Sequence, residues 1–150
     1  MPLDPQPRKM EGKVFKKIMV PVDLAHLDKL ERALDVASDL AKHYQASVCF
    51  VGVTSPQPSA VAHNPQEYAE KLAQFAKTQS DRRGLAFEHK AMTSHDPAIE
   101  LDETLQDAAH QIGADLILMA SHVPGYVEHV VSSYAGYLAS HTEISVFIVR

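Results

Sequence analysis

Beyond a proline-containing start, the chain alternates short apolar runs with longer stretches in which apolar residues return every three or four positions. The first run, in "FKKIMVPVD", predicts a buried strand over Ile18–Val22 that ends at Asp23. Residues 27–46 then place Leu27, Leu30, Leu34, Ala37, Ala41 and Tyr44 on one helical face, with charges opposite, as in an amphipathic helix packed on one side. "ASVCFVGVT" predicts a second strand, apolar on both faces. The turn-rich loop Ser55–Pro65 is long enough to be a functional excursion. It precedes a second helix over residues 66–83, with Tyr68, Leu72, Phe75 and Ala76 as its stripe and Gly84 past its end. "LAFEHKAMT" alternates, as a strand exposed on one face does at a sheet edge. A third helix is predicted within residues 94–115, with Asp96 and Pro97 as cap and first-turn residue and Gly113 as its stop. "DLILMA" is wholly apolar and therefore central. A fourth helix is expected to open at Ser132 and Ser133, and "ISVFIVR" to form the last strand.

Continuous apolar strands point to a sheet covered on both sides, and strands alternating with helices point to a parallel α/β fold. Right-handed crossovers then wrap helices on both faces of an open, doubly wound five-stranded sheet. If its order is 3-2-1-4-5, the loops after strands one and four flank the crevice where such sheets bind ligands. Asp23 would face the stretch "LMASHVPGYVEHVVSSYAG" across it. Residues 1–13 carry three prolines and no periodicity, and read as a flexible arm before one domain over residues 14–150.

Composition narrows the function classes. With 150 residues, 45% hydrophobic and 22% charged, the chain has the balance of one globular domain. A formal net charge of −5 and a pI near 5.9 argue against a nucleic-acid or anionic-membrane surface. No apolar stretch approaches the roughly 20 residues of a membrane span, and "MPLDPQPRKMEGK" lacks the apolar segment of a signal peptide, so no membrane insertion and a cytoplasmic location are expected. Cys49, the one cysteine, sits in an apolar run and reads as a small buried hydrophobe.

Two places could carry chemistry. At the end of the first strand, the Asp23 carboxylate could accept hydrogen bonds from an adenine amino group or a ribose hydroxyl. Alternatively, it caps the following helix or hydrogen-bonds its own loop. The stretch from Leu118 to Gly136 lies between a strand and a helix start, where phosphate sites use backbone N–H groups and the helix dipole. Gly125 is the only glycine before that helix, while Ser132 and Ser133 can donate to a ligand or simply cap the helix. His122 and His129 lack the converging spacing of a metal site, so no metal cluster or redox cofactor is expected. No glycine-rich nucleotide fingerprint or nucleophile elbow is present, and no general base stands beside a plausible nucleophile.

Together, "KKIMVPVD", "ASVCFVGV", "IGADLILMASH" and "SHTEISVFIVR", in this order and spacing, resemble the universal stress protein family over Phe15–Arg150. "ASHVP" followed by "SVFIVR" is most similar to a small bacterial subgroup with an Ala-Ser-His-x-Pro loop. The resemblance implies a flavodoxin-like fold, a homodimer paired through the last strand, and a regulatory role in stress response rather than that of an enzyme, with slow ATP hydrolysis still compatible. In one branch it also implies ATP or AMP bound by an Asp after strand one and a loop of pattern G-x2-G-x9-G-[ST]. Carried over, that places Val22, Asp23 and the Val53 backbone at the adenosine. Ala120, Ser121, His122, Val123, Ser132, Ser133 and Tyr134 would lie about the phosphates. The glycines of the pattern are here Ala120, Val123 and Ser132, and Leu24-Ala25 stands where a Gly-Ser is common. A β-branched Val123 limits close backbone approach, so a dimeric adaptor without nucleotide is the alternative.

Overall fold

The computed structural model describes residues 14–120 and 143–150. Its five strands are β1 (Lys17–Pro21), β2 (Ser47–Thr54), β3 (Phe87–Thr93), β4 (Leu116–Ala120) and β5 (Ser145–Val149). All neighbouring pairs are parallel, in the order β3-β2-β1-β4-β5. Successive strand residues point to opposite faces, yet Ile18, Met19 and Val20 are all fully buried, so the sheet is covered on both sides at its centre. The expected doubly wound α/β order is therefore present.

Helices α1 (Glu31–Tyr44) and α2 (Pro65–Arg83) lie side by side. Arg82 and Arg83 reach Glu31 at 3.1 and 3.0 Å, and Arg83 reaches Asp35 at 2.6 Å. Right-handed crossovers put α3 (Pro97–Ile112), which packs over β1–β3, on the opposite face. Beneath α2, Phe50 stacks on Phe87 with ring centroids 4.7 Å apart and tilts against Phe75 at 5.2 Å. α2 and α3 end where predicted, at Gly84 and Gly113, whose φ of 67° and 72° are left-handed values that glycine adopts without Cβ strain.

One predicted helix start is corrected, and one is met without its side-chain capping bond. The stretch after Leu27 is a 3-10 turn, Leu27–Lys29, and α1 starts only at Glu31. The chain leaves Asp23 through i→i+3 bonds: His26 N donates to Asp23 O at 3.0 Å, Lys29 N to His26 O at 3.3 Å, and Leu30 N to Leu27 O at 3.1 Å. That tighter spiral takes Leu27 out of the helical stripe and leaves it exposed, while Leu30 and Leu34 are buried. α3 begins at Pro97; Asp96 is its N-cap residue, but its side chain makes no capping bond. The predicted N-terminal arm and fourth helix lie outside the described residues.

At the amino edge of the sheet, Asp115 joins the strand starts. Its carboxylate accepts from the backbone N–H of Lys16 at 2.9 Å and of Lys17 at 3.1 Å. Its own N–H donates to Lys17 O, and its carbonyl accepts from Ser145 N, entering β5. The Gly-Ala-Asp lead into β4 thus fixes the far end of the sheet and leaves the carboxyl ends to carry the site.

Candidate functional site

Parallel strands bring their carboxyl ends to one edge, and Val22, Asp23, Val53 and Ala120 all stand there. Pro21 pairs with Val51, and Val22 N donates to Val51 O at 2.8 Å. The chain leaves the sheet there, level with Val51 and just before Gly52 and Val53 of β2. On the other side of β1, β4 ends at Ala120, so the loops after β1 and β4 are neighbours as expected. Ser121, His122, Val123, Ser132, Ser133 and Tyr134 lie outside the described residues.

The Asp23 carboxylate is mostly buried, 17% exposed, and both oxygens are engaged. Oδ1 accepts from Ala25 N at 2.9 Å, an Asx turn, and Oδ2 meets His26 Nδ1 at 2.9 Å. Asp23 therefore hydrogen-bonds its own loop and does not cap α1, whose N-cap residue is Leu30. Each carboxylate oxygen keeps a second lone pair, so the group can still accept from a ligand.

Three neighbours escaped the sequence reading as site residues: His26, Gly52 and Tyr68. A Cβ built on Gly52 would lie 2.4 Å from the Tyr68 hydroxyl and 2.9 Å from its Cε1, so the ring rests on bare β2 backbone next to Val53. Tyr68 is buried, and burial, with a smaller contribution from the Asp23 charge, pushes its hydroxyl well above the usual tyrosine range. The signal was available in "FVGVT", since an isolated glycine within a strand marks close approach by another group.

The loop before α2 is fastened over this region. Asn64 caps α2 by accepting from Glu67 N at 2.8 Å, while Glu67 Oε2 accepts from His63 N at 3.2 Å and meets His63 Nδ1 at 2.9 Å. Those bonds from His63 hold the Glu67 carboxyl below its ordinary range. Lys71 Nζ donates to Val61 O. Alongside runs an open groove of about 840 Å³ whose lining includes Leu24, Ala25, Val61, Phe75 and Arg82. Among the described residues, no three His, Cys, Asp or Glu converge to hold a metal ion, and no helix is long and apolar enough to cross a membrane.

The model of the universal stress protein family matches residues 15–150. The chain belongs to this family. As a universal stress protein it shares its fold with solved relatives at low identity. One, from Burkholderia pseudomallei, is 21% identical over 95% of this chain and 98% of its own, with a TM-score of 0.64. A universal stress protein in complex with cAMP is 18% identical over 91% and 97%, TM-score 0.61. The Archaeoglobus fulgidus protein in complex with dAMP is 18% identical over 91% and 99%, TM-score 0.60.

Proposed function

We propose that this universal stress protein is a regulatory module that binds an adenine nucleotide, ATP or AMP, at the carboxyl ends of β1 and β4. The observation that carries the reading is Asp23, a mostly buried carboxylate just past the end of β1, at the point where β1 separates its two neighbours. It can accept from the adenine amino group, while Val53 offers backbone groups to the base edge and Ala120 opens the loop toward the phosphates. Relatives of the same fold in complex with cAMP and dAMP support an adenine ligand. Occupancy of the site, coupled to a stress-response partner, is the proposed output; the site is read as one of binding, not catalysis.

A homodimer through β5 completes the proposal. Among the described residues β5 is an edge strand, its Phe147 and Ile148 are 42% and 37% exposed, and an apolar edge strand invites pairing with a second copy.

The engagement of both Asp23 oxygens within their own loop favours the second reading, a dimeric adaptor that binds no nucleotide. Calorimetry separates the two. Protein stripped of co-purified ligand is titrated with ATP, ADP and AMP to millimolar concentration. Saturable heat that Asp23→Ala weakens supports the nucleotide reading, and absence of heat with all three supports the adaptor.

A further inference from the structure

We propose that His26 is a positioning residue for Asp23, and that the pair selects a purine with a 6-amino group over one with a 6-oxo group. The inference rests on the nucleotide reading above and adds to it the residue that fixes the Asp23 acceptor.

A carboxylate is acceptor-only, so in the 2.9 Å contact with Asp23 Oδ2 it is Nδ1 of His26 that donates. The other oxygen is fixed independently by Ala25 N–H, also at 2.9 Å. A carboxylate on a two-bond side chain would otherwise rotate; held at both oxygens by different donors, it presents its remaining lone pairs in set directions. Those lone pairs match the exocyclic amine of adenine, which donates. Against the 6-oxo group of hypoxanthine or guanine they set acceptor against acceptor, the arrangement by which a polar site rejects the wrong partner. Tyr68, its ring seated on Gly52, is buried nearby, and the Asp23 charge adds to the burial that raises its hydroxyl. His26 is 38% exposed at its side chain, so replacing it removes little packing and leaves the core intact.

The variants distinguish the two ring nitrogens. Asparagine places an amide N–H where Nδ1 stands, whereas glutamine places one where Nε2 stands. Competition calorimetry with AMP and IMP reads the preference, with circular dichroism and Tm confirming that each variant is folded. Wild-type protein is expected to bind AMP roughly tenfold more tightly than IMP, the ratio set by one charge-assisted hydrogen bond. His26→Ala should bring that ratio to about two, His26→Asn should restore it, and His26→Gln should not. If His26→Ala fails to fold, His26→Gln carries the test alone. A ratio unchanged in His26→Ala overturns the inference, as does rescue by Gln but not Asn, which would place His26 against the ligand itself. Equal wild-type binding of AMP and IMP overturns the inference and leaves the nucleotide reading standing; binding of neither overturns both.

Discussion

Gly52→Ala probes the packing beneath the site more sharply than any other single change. The added Cβ would meet the Tyr68 hydroxyl at 2.4 Å, Cε1 at 2.9 Å and Cζ at 3.0 Å. To restore an ordinary contact of about 3.5 Å, the hydroxyl end of the ring must retreat by about 1 Å. Tyr68 is 5% exposed, so the ring has no open space into which to swing. Overpacking of a filled core costs about 1–3 kcal/mol. Against this, alanine restricts the unfolded chain and returns about 0.5 kcal/mol, since Gly52 is not among the glycines with positive φ. From the middle of that range the net expectation is a loss of about 1.5 kcal/mol. For a domain of this size that lowers Tm by roughly 3–6 °C. Urea unfolding of Gly52→Ala, Tyr68→Leu and the double variant closes a mutant cycle. In the leucine background the alanine should be neutral or slightly stabilising, giving a coupling of at least about 1 kcal/mol. A Gly52→Ala protein as stable as wild type, or an equal loss in both backgrounds, refutes the contact.

Other consequences follow from named contacts. Asp115→Ala leaves the N–H groups of Lys16 and Lys17 without their acceptor and should cost about 1–3 kcal/mol in chemical denaturation, far from the site and without effect on nucleotide affinity. Burial pushes the Cys49 thiol up to about 11, so a thiol-specific reagent at pH 8 should label it only as fast as the protein unfolds, and prompt labelling would contradict its burial. The Glu67 carboxyl is lowered in the folded state, so its contribution is present above the ordinary carboxylate range and is lost as pH falls through the folded value. The amide protection factors at the start of α2, corrected for the intrinsic exchange rate, should therefore fall selectively at acid pH, and Glu67→Gln should abolish that dependence. Phe147→Lys should convert a dimer to a monomer in light scattering at micromolar concentration; a wild-type monomer would remove the proposed interface.

Much of the fold was readable because apolar runs and helical stripes repeat what burial requires. "IMV" and "LILMA" are apolar without alternation, and they became the central strands β1 and β4; "LAFEHKAMT" alternates, and it became the edge strand β3. Periodicity failed at Leu27, where local i→i+3 bonds from the Asp23 loop overrode the helical repeat. Of the site, the position of Asp23 was legible from where the apolar run stops. Its bonds to Ala25 and His26 were not, because a side chain's choice among loop donors leaves no periodic trace. Tyr68 read as one member of a helix stripe, and only the glycine across from it in space gives that residue a place at the site.

The central claim is best tested by titrating isotopically labelled protein with AMP and following backbone amide shifts. Binding at the strand ends predicts saturable shifts concentrated at Val22, Asp23, Gly52, Val53 and Ala120, with the Lys16–Lys17 edge unmoved. No shift at millimolar AMP, or shifts confined to the groove residues Val61, Phe75 and Arg82, would contradict it.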